Sequence, residues 1–227
     1  MMKLILLFFL AGMLGASGEM VFKTKLVEIN AAADAQVVTA EFPFEIQGAE
    51  GAEIVSYDAP CSCLTAKVFP LMPDRSAKLK WTEGETGKII GRFEMGNFKG
   101  TVDKAILLNM KGMEEKIQLV VRVNIPVLFQ IEPTTHKWEL NGAAEPKIFK
   151  IKVNHTDPIH ILKLTGQMEE FPYELKTIKK GWEYAVTVRP ASTATAGMGR
   201  LAFHTDCPIK RHIRHQVFTV VRAKRER

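Results

Sequence analysis

Apolar side chains at every second position run through nearly the whole of this chain. In Val38, Ala40, Phe42, Phe44 and Ile46 the apolar residues alternate with Thr39, Glu41 and Glu45. Ile89, Gly91, Phe93 and Met95 alternate with Lys88, Arg92 and Glu94, and Ile117, Leu119, Val121, Val123 and Ile125 with Gln118, Arg122 and Asn124. A period of two turns one face of an extended segment toward a core and the other toward water. From Met20 onward no stretch sustains the i, i+3, i+4, i+7 stripe of an amphipathic helix. Turn residues interrupt the pattern about every ten residues, at Gly48–Gly51, Met72-Pro73-Asp74, Glu83-Gly84, Gly96-Asn97 and Lys111-Gly112. The spacing predicts an all-β domain of short strands from Glu19 to Ile125, built as two packed antiparallel sheets.

Pro126 opens a second pass of the same kind, through Phe129–Ile131, Phe149–Val153, Ile159–Leu164, Tyr173–Thr177, Trp182–Arg189, Met198–His204 and Ile213–Ala223. Val120-Val121-Arg122 recurs as Val220-Val221-Arg222, each in the last long strand of its half, which points to tandem copies of one fold. Residues 19–125 and 126–227 are therefore expected to be two tandem immunoglobulin-like β-sandwich domains, joined at Ile125-Pro126 without a Gly/Ser linker. Each is long enough to bury a core of its own.

Residues 1–18 read as a signal peptide. Lys3 is a short basic region, Leu4 to Leu14 is almost wholly apolar, and Ala16-Ser17-Gly18 sets small residues before an expected cut at Glu19. The apolar run is shorter than the roughly 20 residues that span a bilayer, so the mature chain is expected to lack a transmembrane segment and to be periplasmic or extracellular. Cleavage removes one positive charge from a formal net charge of +6. The remaining excess gathers at the end, in Arg222, Lys224, Arg225 and Arg227, where it reads as a solvated terminus and not as a nucleic-acid arm.

Three features in the first half carry a resemblance: Cys61-Ser62-Cys63 at the end of a strand, the Glu83-Gly84-Glu85 turn, and Gly96 to Gly100 after the strand Gly91–Met95, with Lys104 beyond. Over about residues 36–125 the chain resembles the bacterial exported family known as domain of unknown function 1573, which is similar to the immunoglobulin-like domains of hydin and the major sperm protein. The sequence departs from that pattern in having Ser62 between the cysteines, Leu64 after them and Glu83 where the family more often has Pro. The resemblance implies an immunoglobulin-like interaction module without catalytic activity. The second half resembles a more divergent repeat of the same kind.

Cys61 and Cys63 admit three readings. On a straight strand their Cα atoms would lie about 6.6–7 Å apart on one face, at the upper edge of disulfide geometry, so a bond between them requires a bend. As thiolates they would suit copper or zinc, with Cys207 as a further ligand. As small hydrophobes, one of them bridged to Cys207 or neither, they would do no chemistry. A second cluster, His204, Asp206, Cys207, His212 and His215, has metal-binding residue types. If Ile213 to Ala223 is a strand, however, His212 and His215 point to opposite faces, and a polar hairpin tip with solvated histidines is the expectation unless the turn extends through them.

No His-Glu-x-x-His or Gly-x-Ser-x-Gly is present, and Gly84 to Lys88 lacks the spacing of a phosphate loop. The sequence thus predicts no enzyme, no resident cofactor and an unidentified protein partner. The alternatives are a thiol-redox or copper- or zinc-binding module at Cys61 and Cys63, and a pilus-type chaperone, which also has two such domains. Asn154-His155-Thr156 has the form of a glycosylation sequon, and Trp81, Trp138 and Trp182 are expected to fill cores.

Overall fold

The computed structural model describes residues 18–166 and 169–224. Almost all of the signal-peptide reading, and the basic tail from Arg225 onward, lie outside the described residues. The described chain forms seventeen strands: β1 (Glu19–Phe22), β2 (Leu26–Asn30), β3 (Val37–Gln47), β4 (Ala52–Asp58), β5 (Leu64–Phe69), β6 (Lys80–Trp81), β7 (Thr86–Glu94), β8 (Gly100–Met110), β9 (Ile117–Ile125), β10 (Phe129–Glu132), β11 (Thr135–Glu139), β12 (Lys147–Val153), β13 (Ile161–Thr165), β14 (Tyr173–Lys179), β15 (Glu183–Val188), β16 (Gly197–Thr205) and β17 (Arg214–Arg222). The only described helical turn is a 3₁₀ segment, Lys210–His212.

The strands make four sheets, in the orders β1-β3-β7-β5, β2-β9-β8-β4-β6, β10-β12-β15-β14 and β11-β17-β16-β13. The first two orders and the last two follow one plan, apart from the short β6. In that plan β1 corresponds to β10, β3 to β12, β7 to β15, β5 to β14 and β9 to β17. The repeated Val-Val-Arg lies in β9 and in β17, so its two copies occupy equivalent strands. Two four-stranded sheets with this strand order are the plan of an immunoglobulin-type sandwich. Pairing is antiparallel in β3–β7, β12–β15 and β16–β17. β11, by contrast, runs parallel to β17 with Trp138 opposite Val221. The chain steps from β10 to β11 without reversing, and the rest of the unit supplies the long connection that a parallel pair needs.

The expected alternation sets the cores. Ala40, Phe42, Phe44 and Ile46 of β3, Ile89 and Phe93 of β7, and Leu119, Val121 and Val123 of β9 are all buried. In the register of β3 and β7, Phe42 stands opposite Ile89 and Phe44 opposite Gly87. Gly87 is required there: a Cβ would come within 2.6 Å of both Phe44 Cζ and Trp81 Cη2. Phe44 and Trp81 meet edge to face at 4.9 Å, closing the core beneath the Trp81–Gly87 turn. The second core gathers Phe129, Trp138, Phe149, Tyr184, Val186, Phe203 and Val217.

The chain divides into two compact units. The first comprises Met1–Ile29, Gln36–Gly96 and Thr101–Val123; the second comprises Asn124–Arg227 together with two short segments, Asn30–Ala35 and Asn97–Gly100. Those two segments are the connections β2–β3 and β7–β8, and the second places one basic side chain, Lys99, in the second unit.

Candidate functional site

Cys61 and Cys63 are joined by a disulfide, and Cys207 is free. The straight-strand geometry does not apply, because Pro60–Cys63 forms a bend and turn before β5 and brings the two Cα atoms to 5.2 Å. Ala59 O accepts from Cys61 N at 2.6 Å, Cys61 O from Leu64 N at 3.1 Å, and Cys63 O from Glu94 N at 2.8 Å. The Cys63 N–H also points at Cys61 Sγ, 3.1 Å away. These backbone bonds fasten the turn to the end of β7. Ser62 is exposed and both cysteines are half-exposed, so the sulfurs are within reach of solutes. Cys207 is 3 % exposed and packed in the second core.

Of the second cluster, the structure brings together only His212 and His215. The 3₁₀ turn runs through His212 before β17 begins, so the two rings do not alternate across a strand; their centroids lie 6.1 Å apart. Nor are they solvated: His212 is 2 % and His215 3 % exposed. The expectation of a polar hairpin tip fails because the turn folds inward over Phe129, on which the His215 ring stacks at 4.5 Å. Asp206 turns elsewhere, accepting from the His160 backbone N–H and facing its ring Nδ1, both at 2.7 Å. Burial pushes the Asp206 carboxyl up, but the His160 backbone, ring and charge outweigh it and hold it below its ordinary value. His204 stands on β16 opposite Lys163 and Arg214. Among the described residues no three His, Cys, Asp or Glu side chains are grouped to hold a metal ion.

Two basic side chains that sequence reasoning passed over complete the histidine pair. Lys99 Nζ lies 3.1 Å from His215 Nδ1, and Arg211 donates to Phe98 O at 2.8 Å and to Ala35 O at 3.3 Å. His215 Nε2 lies 2.8 Å from His212 O. A carbonyl can only accept, so Nε2 carries the proton and Nδ1 is left to accept from the Lys99 ammonium. His212 has no hydrogen-bond partner for either ring nitrogen, although the Ala33 backbone faces it. Burial, then Arg211, lowers the His212 pKa to about 4; burial, then Lys99, lowers that of His215 to about 4. Burial, then Arg211, also lowers the Lys99 pKa. The one sequence signal for Lys99 was its place in the Gly96–Gly100 turn. Gly100, at φ +68°, bends the backbone that presents it.

The tryptophans do fill cores or cover them: Trp81 and Trp138 are 4 % exposed, their indole N–H groups given to Lys78 O and Glu145 O. The sequon's Asn154 donates its side-chain amide to Gln130 Oε1 at 2.9 Å and Val127 O at 3.4 Å.

An all-β chain of tandem immunoglobulin-like sandwiches, with a disulfide turn in the first, is what these elements define. Residues 20–125 match the family described as "Protein of unknown function (DUF1573)". No curated protein matches the chain. Among solved structures it is similar to a protein of unknown function from Porphyromonas gingivalis W83, at 9 % identity over 90 % of this chain and 96 % of that one, TM-score 0.35. It is also similar to domains 4 and 5 of the S-layer protein SbsC, at 15 % identity over 73 % and 79 %, TM-score 0.30. A chimeric titin Z1Z2 tandem overlaps at 7 % identity over 91 % and 100 %, TM-score 0.32. No helix among the described residues is long and apolar enough to cross a membrane.

Proposed function

We propose that this chain is an exported, non-catalytic immunoglobulin-like module, with domains at 19–125 and 126–227, that binds a protein partner or serves a structural role in the periplasm or at the cell surface. The observation that carries this reading is the state of the sheets. Two sandwiches bury their inner faces, while among the described residues the outer strands β13 and β14 keep one edge unpaired and expose Leu162, Leu175 and Ile178. An unpaired edge offers backbone N–H and C=O groups to an added strand, with side chains on either side to select it. The family match over residues 20–125 and the signal-peptide pattern support the same reading. To test it, photo-crosslinkers placed at Leu162 and Ile178 are used in the native host, with N-terminal sequencing of the exported protein. Discrete adducts and a mature end at Glu19 are expected. Retention of Met1 in the cytoplasm, or substrate turnover abolished by one side-chain change, overturns the proposal.

The disulfide favours a second reading, in which Cys61 and Cys63 exchange electrons with an external dithiol or, once reduced, bind copper or zinc. Cys207 is too deeply packed to offer its sulfur without disturbing the second core. Cu(I) uptake by the reduced protein that survives Cys207→Ser and vanishes in Cys61→Ser is the expected result on this reading; no uptake and no exchange removes it.

A further inference from the structure

The second unit brings four basic side chains together, His212 and His215 buried, Arg211 half-buried and Lys99 exposed with its ammonium against the His215 ring, and Lys99 comes from a segment that precedes the unit's own strands. Lys99 reaches His215 from Asn97–Gly100; Arg211 ties that segment, through Phe98 O, and Asn30–Ala35, through Ala35 O, to the 3₁₀ turn. Ala31 N–H donates to Asn124 O at 3.0 Å, a further tie of the Asn30–Ala35 segment.

The arrangement works only while both imidazoles are neutral. His215 gives its Nε2 proton to His212 O and must keep a lone pair on Nδ1 for the Lys99 ammonium. A proton on Nδ1 removes that acceptor and sets two cations 3.1 Å apart. His212 beside it makes no full hydrogen bond from either ring nitrogen, and the Ala33 backbone is the acceptor that faces it. The groups acting on the pair are Lys99 from the first segment, Arg211 from the turn and His155 from the β12–β13 connection, all basic. On the same elements Lys210 and Arg214 are exposed cations, Asp206 faces His160, and Asp157 lies on the outer side of His155. Ala33 and Phe129 present only backbone and ring.

We propose that Lys99, His215 and His212 form an acid-released latch, in which protonation of the buried imidazoles expels Lys99 and frees segments Asn97–Gly100 and Asn30–Ala35 from the body of the second unit. The balance is simple: each imidazole takes one proton from water, no covalent bond breaks, and the ammonium leaves with its charge for solvent. The lowered basicity of both histidines accords with this, since the site resists charge until the medium is acidic. Exposed histidines would titrate without consequence; here a protonated His215 ring faces the Lys99 ammonium at 3.1 Å, and opening relieves that repulsion.

Hydrogen exchange on the full chain tests the latch, with rates corrected for intrinsic pH dependence and peptides covering residues 30–35 and 96–101 compared with β12 and β15. Between pH 6.5 and 4, protection of the two segments, the Ala31 amide included, is expected to fall at least about tenfold more than that of the strands. His215→Gln combined with His212→Leu keeps a donor toward His212 O and an acceptor toward Lys99 but cannot titrate, and its segments are expected to stay closed in acid. Lys99→Met, which removes the expelled charge, is expected to shift the opening to lower pH, and it serves where the histidine variant does not fold. Loss of protection in parallel with the strands, the same acid opening in the histidine variant, or an unshifted midpoint in Lys99→Met would each overturn the latch.

Discussion

Replacing both Cys61 and Cys63 by serine is expected to cost the first unit no more than about 1.6 kcal/mol. The bond closes a loop of three residues, and the loop-entropy relation gives about 1.6 kcal/mol at 25 °C for such a ring, against about 3 kcal/mol for a fifteen-residue loop. The turn does not depend on the bond for its shape. Hydrogen bonds from Cys61 N to Ala59 O, Leu64 N to Cys61 O and Glu94 N to Cys63 O remain when the sulfurs part. Urea unfolding followed by Trp81 fluorescence, in a Trp138→Phe, Trp182→Phe background, isolates this unit, because Trp81 is its sole tryptophan and lies in its core. With a slope of about 2 kcal/mol/M the midpoint should move by about 0.8 M or less, and a thiol reductant should move the unsubstituted protein by the same amount. A loss above about 3 kcal/mol would refute the reasoning. The bond would then be a structural staple whose effect exceeds loop closure, and the exchange reading of the turn would lose its physical motive.

Other perturbations test the packing and the buried charges. His212 and His215 are lowered to about 4 in the folded chain and return to ordinary values near 6.5 on unfolding. The unfolded chain therefore binds more protons between those limits, so their contribution is full above pH 6.5 and is lost as pH falls toward 4. The loss is about 3 kcal/mol for each histidine, read by Trp138 and Trp182 unfolding at pH 7 and 4; an unchanged pH profile in the His215→Gln, His212→Leu variant contradicts it. Gly87→Ala is expected to destabilise the first unit by about 1–3 kcal/mol through the clash with Phe44 and Trp81. Adding Trp81→Phe should recover part of that, and simple additivity in the denaturation cycle would show the contact to be wrong. Phe203→Ala, fully buried, should cost about 3–5 kcal/mol, whereas Ile148→Ser, half exposed, should stay within about 0.5 kcal/mol on the same urea scale.

Much of the fold was legible in the amino-acid order, because strand faces are set by local alternation. The rows Ala40–Ile46 and Ile117–Ile125 lie inward as their period requires, and the Val-Val-Arg repeat marks equivalent strands. The residues of the candidate sites were only partly legible. The sequence leaves Cys61 and Cys63 open among three readings and makes a bond between them conditional on a bend, which the fold supplies from Pro60. His212 and His215 were separated by a strand period that starts two residues after His212. Lys99 is marked only by its place in the Gly96–Gly100 turn, and Arg211 by nothing local.

The alternating pattern, the turn residues and the Cys-x-Cys block determined by themselves that this chain would be a β-sandwich protein repeated in tandem with a candidate sulfur site. Period two acts between neighbours, and neighbours are what a sequence displays. Only the tertiary structure decided that Lys99 would meet His215, 116 residues away, and that two histidines would be buried neutral among cations. That meeting depends on which connections fold into the second unit, and no short-range preference of the backbone encodes it.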